Sequence, residues 1–383
     1  MSLSVDLLSL LLFVTLAQGL FVESVLVTRY RLTSQQHLFL FFLILTLLWF
    51  QTEFLAVRLP YNVEWPFFYG SHFGAWLLVG PLFYFYVRAI VHKELPFHSR
   101  GLLHFVPFVI FVLILPLFSD ELLTSRQVNY GMLTTFDPFN DSVSPMQYVY
   151  GYIFILQFIH LLLYLVKAFF LIRNYEARLK GNYSSLEVGA IRWLTTLNVL
   201  LLLMLVLVAF FLILFFFRRS YNRDLDYMYV IPTAIFIYLI GYRLSGVQWP
   251  SASEPAGNAS KYEKSSLKAD LSKVFGSQLE LFMEQHKPYL NNELRLQELA
   301  DLIHIPSHHL SQVINEQLHT TFFAYVNRYR VEEAKKLILA EPNSSLLDIA
   351  FKAGFNNKTS FTNAFKKFTT QTPVGFRRQH RPQ

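Results

Sequence analysis

Residues 296–317 read LQELADLIHIPSHHLSQVINEQ, and residues 345–368 read SLLDIAFKAGFNNKTSFTNAFKKF. In the first stretch apolar side chains fall at Leu296, Leu299, Ala300 and Ile303, stop at a tight break, and resume at Leu310, Val313 and Ile314. The second repeats the layout with Leu346, Ile349, Ala350 and Phe355, then Phe361, Phe365 and Phe368. Steps of three and four place such residues on one face of a helix. Each stretch therefore predicts a short helix, a turn and a second helix held together by their apolar faces, which is a helix-turn-helix.

That packing leaves the far face of each second helix free. On the helix from Ser307 the free positions are Ser307, His308, Ser311, Gln312 and Asn315; on the helix from Lys358 they are Lys358, Thr359, Thr362, Asn363 and Lys366, with Lys367 beside them. Amide, hydroxyl and cationic groups suit base edges and phosphates in a major groove. From residue 344 onward, seven Lys and Arg residues face Asp348 as the one acidic residue. A basic stripe is ordinarily a solvated face, but beside two such helices it points to nucleic acid. Further helices are expected at 266–285 and 321–340, the latter long enough to hold the two units apart.

At this point the residues resemble a known family. Residues 262–378 are similar to the DNA-binding domain of AraC/XylS-type bacterial transcription regulators. The most specific part is IAFKAGFNNKTSFTNAFKKFTTQTPVGFR, with its Ile-Ala pair, Gly354-Phe355, Phe361, Phe365-Lys366-Lys367, Thr372-Pro373 and Phe376-Arg377. FFAYVNRYRVEEAKKLI resembles the long helix joining the family's two units. The resemblance implies that His308, Ser311 and Gln312 read bases in the first unit, and Lys358, Thr359, Thr362 and Asn363 in the second. Two departures concern turns: His319 and Thr370 stand where the family often has Gly, the residue that takes positive φ most easily. A third is Pro306, where a Ser cap is common.

Outward from this domain the composition changes. Of 383 residues 53% are hydrophobic and only 15% charged, against roughly 45–50% and 25% in ordinary soluble chains. Residues 1–250 hold 16 Lys+Arg and 13 Asp+Glu, whereas 251–383 hold 17 and 13 in about half the length. A bilayer core takes roughly 20 apolar helical residues to cross. Seven stretches fit, at 3–27, 38–57, 67–91, 102–118, 148–172, 193–217 and 227–244, the fourth and seventh being short. The first has no basic leader and no cleavage site, so it reads as a retained span. Loops one, three and five, together with Arg88 near the end of the third span, carry nine Lys and Arg; loops two, four and six carry five. By the positive-inside rule this predicts a cytoplasmic C-terminus, with Arg218, Arg219 and Arg223 in the sixth loop against it.

Ionisable groups within spans are costly and often functional. Glu53, His72 and His160 are accordingly the ligand-sensing candidates, with Gln18, His104, Gln157 and Asn198 as further polar positions. The bland alternative for each is an interhelical hydrogen bond. The run HIPSHH at 304–309 has the H-x-x-x-H-H spacing of a di-iron histidine box, but no second box exists and the chain has no cysteine. No metal, cofactor or catalytic residue is expected.

The expected architecture is all-α: a membrane sensor of about seven spans over 1–246, a Ser/Pro/Gly-rich linker over 247–264, and a DNA-binding domain with two helix-turn-helix units over 265–383. The expected function is membrane-anchored transcription regulation at a bacterial inner membrane, without enzymatic activity. The implied partners are double-stranded DNA, the lipid bilayer, an unidentified signal ligand, the transcription machinery and, in a homodimer, a second copy. The rival readings are a transporter or membrane enzyme with a regulatory tail, and a receptor whose tail binds protein.

Overall fold

The computed structural model describes residues 7–58, 74–92, 97–114, 145–185, 188–218, 230–246 and 269–380. His72 and the whole 247–264 linker lie outside them. Among the described residues there is no strand, only one isolated antiparallel bridge between Tyr183 and Arg295. The chain divides into two compact units, one of residues 1–173 and 189–249, the other of 174–188 and 250–383.

The first unit contains α1 (Leu7–Thr28), α2 (Gln35–Arg58), α3 (Trp76–Val91), most of α4 (Pro145–Asn182), α5 (Val188–Arg218) and α6 (Val230–Gly246). Between α3 and α4, residues 99–114 form a tight 3-10 turn that passes through one α turn into a π turn. Four stretches are long and apolar enough to cross a membrane: Leu7–Thr28, Gln35–Ala56, Ile155–Asn182 and Ala190–Phe210. Trp76–Val91, Ser99–Phe111 and Val230–Leu244 are apolar but shorter. Four of the seven expected spans thus meet the length requirement among the described residues.

These helices are apolar on all sides. Leu20, Val206 and Ile213 lie more than half exposed while Leu12, Leu43, Leu161 and Leu197 are buried, so apolar side chains stand on open faces as well as on packed ones. Close approach is made by small residues: Gly19 lies against Leu48, and a Cβ on Gly80 would stand 3.1 Å from Tyr164. In lipid, association depends on such fit because apolar burial gives no preference.

The second unit holds α7 (Ala269–His286), α8 (Leu296–Leu302), α9 (Ser307–Gln312), α10 (Phe322–Ala340), α11 (Leu346–Lys352), α12 (Lys358–Thr369) and α13 (Pro373–Gln379). The apolar repeats form two separate cores. Leu279 and Met283 of α7, Leu299 and Ala300 of α8, Leu310 and Ile314 join Phe322, Tyr325 and Val326 of α10 in the first. Val331, Ala334 and Ile338 of the same helix join Ile349, Ala350, Phe355, Phe361, Phe365 and Phe376 in the second. So α10, about 28 Å long at 1.5 Å per residue, gives its first half to one module and its second half to the other.

Candidate nucleic-acid interface

The two modules share one turn. In the first, Ile305 N–H donates to Ala300 O at 3.0 Å and His304 N–H to Asp301 O at 3.3 Å; in the second, Phe355 N–H donates to Ala350 O at 2.9 Å and Gly354 N–H to Phe351 O at 3.0 Å. This is the Schellman pattern, whose pivot residue must be left-handed. The pivots are His304 at φ 56° and Gly354 at φ 88°. His304 is thus the backbone counterpart of Gly354, which accounts for the first histidine of HIPSHH without a metal. Among the described residues no group of three His, Cys, Asp or Glu could hold an ion. His319 and Thr370, the other departures from glycine, also take positive φ, at 48° and 61°.

The second module's helices are capped by side chains. Ser345 Oγ accepts from Asp348 N–H at 3.0 Å, Asn357 Oδ1 from Ser360 N–H at 2.8 Å, and Thr372 Oγ1 from Gly375 N–H at 3.1 Å. Helix α9 starts at Pro306 with no side-chain cap. Past Gln312 it widens into a π turn, Val313–Gln317.

On α12 every expected reader lies on the open side. Lys358, Thr359, Asn363, Lys366 and Lys367 are exposed and Thr362 is half-buried, while Phe361, Ala364 and Phe365 are buried. Among the described residues no carboxylate pairs with Lys358, Lys366 or Lys367; Lys352, by contrast, is held by Glu341 at 2.7 Å. Arg377 on α13 has Nε and Nη2 shielded and unpartnered, a cation the periodicity did not single out.

On α9 the open face is narrower than expected. His308 and Asn315 are exposed, and Ser307 and Gln312 are half-buried. Ser311 is not on that face: it is 7% exposed, and its Oγ accepts from Asn315 Nδ2 at 3.2 Å. At about 100° per residue Ser311 lies only about 60° from Ile314, on the edge of the apolar stripe. Gln312 Nε2 donates to Glu316 Oε2 at 2.8 Å, a bond it must release to meet a base. His309 is half-buried, its ring 6.1 Å from Phe275 and 4.1 Å from His308. Burial, and then the neighbouring His308, lowers its pKa, and it packs without reaching the open face.

Between the two cores stands a fully buried cation. Arg330, at 0% exposure, follows Val326 of one core and precedes Val331 of the other. Burial pushes its guanidinium down to about 10, so it stays charged at neutral pH. Among the described residues no carboxylate meets it; Nε donates to Tyr289 O at 2.7 Å, Nη2 to Asn291 O at 2.7 Å and to Ser184 Oγ at 3.0 Å, and Nη1 to Ser184 O at 3.0 Å.

In the first unit, Glu53 is 2% exposed. The His160 ring lies 4.8 Å from that of Tyr164, whose hydroxyl bonds His104, and its Nδ1 is buried without a partner. Gln157 and Asn198 are buried with orphaned amide atoms, and so are Gln51 and both carboxylate oxygens of Glu23, two residues that hydropathy alone did not mark.

Residues 299–379 match the model of the helix-turn-helix domain family. The chain is 36% identical over 89 residues to an uncharacterized HTH-type transcriptional regulator of Staphylococcus aureus, covering 23% of this chain and 12% of that one. It is 32% identical over 99 residues to the bifunctional transcriptional activator/DNA repair enzyme AdaA of Bacillus subtilis, covering 26% of this chain and 46% of AdaA. A solved protein of unknown function from Listeria innocua is 30% identical with a TM-score of 0.25, over 28% of this chain and 98% of its own. The C-terminal part of this chain therefore carries an AraC-type helix-turn-helix domain. The chain spans about an eighth of the length of the staphylococcal relative.

Proposed function

We propose that the protein is a membrane-anchored transcription regulator that reads a two-box DNA site with α9 and α12. The observation that carries this reading is the pair of cores on α10: two modules, each presenting one short polar helix, are held at the two halves of a single helix. The helix itself, about 28 Å long at 1.5 Å per residue, is comparable with the ~34 Å repeat of one major-groove face, so we read the site as two short boxes about one turn apart. His308, Gln312 and Asn315 serve the first box; Lys358, Thr359, Thr362 and Asn363 the second; Lys366, Lys367 and Arg377 meet phosphates. The relatives' own names, those of transcriptional regulators, support this use.

The membrane half of the reading rests on the four long apolar helices and the loop charges. In it all seven apolar segments cross the bacterial inner membrane, the C-terminus lies in the cytoplasm, and Glu53, His72 and His160 contribute to a signal site. A ligand that binds one arrangement of the spans more tightly raises that arrangement's population.

The test is selection of DNA from a random pool by the full chain in lipid nanodiscs, followed by titration of single-base variants of the selected site. Gln312→Ala is expected to lose about 1–3 kcal/mol of discrimination at one position of one box. A full chain that selects no sequence, or a Gln312→Ala loss spread evenly over all positions, refutes the assignment.

A further inference from the structure

The four acceptors around Arg330 come from two places. Tyr289 and Asn291 belong to the entry of the first module; Ser184 lies 146 residues away, in the loop that joins α4 to α5. Its residues Tyr183, Ser184 and Ser185 are each held within the second unit. Ser184 N–H donates to Leu294 O at 3.2 Å, and Asn327 Nδ2 of α10 donates to Ser184 O at 3.2 Å. Arg295 stacks its guanidinium on the Tyr183 ring at 5.7 Å and shares the isolated bridge with that residue. Asn356, one residue before the cap of α12, donates to Ser185 Oγ at 3.1 Å. Three consecutive residues thus touch the first module, the shared helix and the second module, and Ser184 is 1% exposed.

The energetics single out the seat. A buried guanidinium must have its donors satisfied, because a stranded charge costs several kcal/mol. With the loop in place Nη1 and Nη2 both reach Ser184; with the loop gone, Nη1 has no acceptor in these contacts and Nη2 keeps only Asn291. Arg330 also lies 5.9 Å from the Phe355 ring of the second core, so a shift of its guanidinium bears directly on the junction of the modules.

We infer that the segment Tyr183–Ser185 is the coupling element of this regulator, a clip from the α4–α5 loop that seats on Arg330 and fixes the two reading modules at one spacing. The inference rests on the DNA-reading assignment above and adds the route by which the membrane helices govern it. Seated, the clip completes the shell of Arg330 and the two boxes are read in one register. Withdrawn by movement of α4 or α5, it leaves the guanidinium to water and the modules to move about α10.

The chain has no cysteine, so a pair introduced at Ser185→Cys and Asn356→Cys has no background. In the full chain in nanodiscs, with a protease site placed among residues 251–260, a short bismaleimide should keep the two fragments joined after cleavage. Neither single variant should do so. DNA binding is then measured on the selected two-box site and on the same site with two base pairs inserted between the boxes. The wild type and the cross-linked protein should lose the contacts of one box on insertion, roughly 10- to 100-fold in affinity. Ser184→Arg, which places a second cation in the buried seat, should tolerate the insertion within a factor of about two and should abolish the cross-link when combined with the cysteine pair.

Sequence-selective binding without a cross-link overturns the clip and leaves the DNA reading standing. A cross-link without selective DNA binding overturns the reading and, with it, the coupling role. A Ser184→Arg protein as sensitive to the insertion as wild type also overturns the inference. If Ser184→Arg fails to fold, the cross-linked protein decides: loss of the wild-type spacing preference on locking would refute the clip.

Discussion

The two matched turns allow a paired test of what holds the modules together. Gly354 sits at φ 88°, and a Cβ there would run into the backbone carbonyl of Tyr289 and lie 3.0 Å from Leu290 Cα. Gly354→Ala costs about 1–2 kcal/mol for the left-handed backbone. About 0.4–1 kcal/mol of that is returned because alanine has less freedom to lose on folding. The overlap is with backbone, which cannot rotate away, and such overpacking adds about 1–3 kcal/mol. The net loss is roughly 1–5 kcal/mol, centred near 3. His304 is exposed at φ 56°, and His304→Gly exchanges the same backbone cost against the same entropy, leaving stability within about 1 kcal/mol. The assay is hydrogen exchange of the full chain in nanodiscs, followed on peptides covering α11 and α12. For Gly354→Ala, protection there should fall by roughly 100-fold, within a range of about 5-fold to a few thousand-fold, with His304→Gly nearly unchanged. Protection within about twofold of wild type in Gly354→Ala, or equal loosening by both variants, would show that the turn and its packing on Tyr289 do not secure the second module.

Lys367→Ala should weaken binding to every sequence alike and lower the slope of log affinity against log salt by about 0.9, read by titration at several salt concentrations; a base-specific effect would contradict a phosphate contact. Asn357→Ala removes the cap of α12 and should cost about 1 kcal/mol, seen as faster exchange confined to residues 358–361. Replacing Glu53 or His160 with leucine should alter the response of a reporter gene in cells while membrane insertion, checked by fractionation, is retained; a wild-type response in both would return them to packing roles. The carboxyl of Glu341 is held below its ordinary 4.5 by hydrogen bonds from Lys352 and then Ser344. That contribution is present above the ordinary value and disappears as the pH falls through the depressed one, so Lys352→Ala should flatten the acid limb of an unfolding curve.

The helix-turn-helix modules were legible because their cores are local. Leu299, Ala300 and Leu310, and likewise Ile349, Ala350 and Phe361, lie within a dozen residues of one another, and helical spacing alone puts them together. Phase errors arise at the margin of a stripe: Ser311, about 60° from Ile314, reads as free and is covered. Arg330 and Ser184 were not legible at all. An arginine between Tyr329 and Val331 looks like an ordinary helical charge, and only three-dimensional closure over 146 residues reveals its acceptors. Glu23 was hidden for the opposite reason, since one acidic residue barely interrupts the long apolar run of α1.

A helix that belongs half to one core and half to another is a ruler, and its graduations are coarse. Adding one residue to the middle of α10 would move the second module by about 1.5 Å and also swing it by about 100° around the helix axis. Under the proposed two-box reading, the second face would then point away from the groove met by the first. Only insertions near seven residues return it to within about 20° of its bearing, at the expense of about 10 Å of length. On the reading proposed above, descendants of this protein can change the bases they read by single substitutions on α9 and α12, whereas the distance between their boxes is inherited nearly unaltered. Box spacing should therefore diverge far more slowly among such regulators than box sequence does.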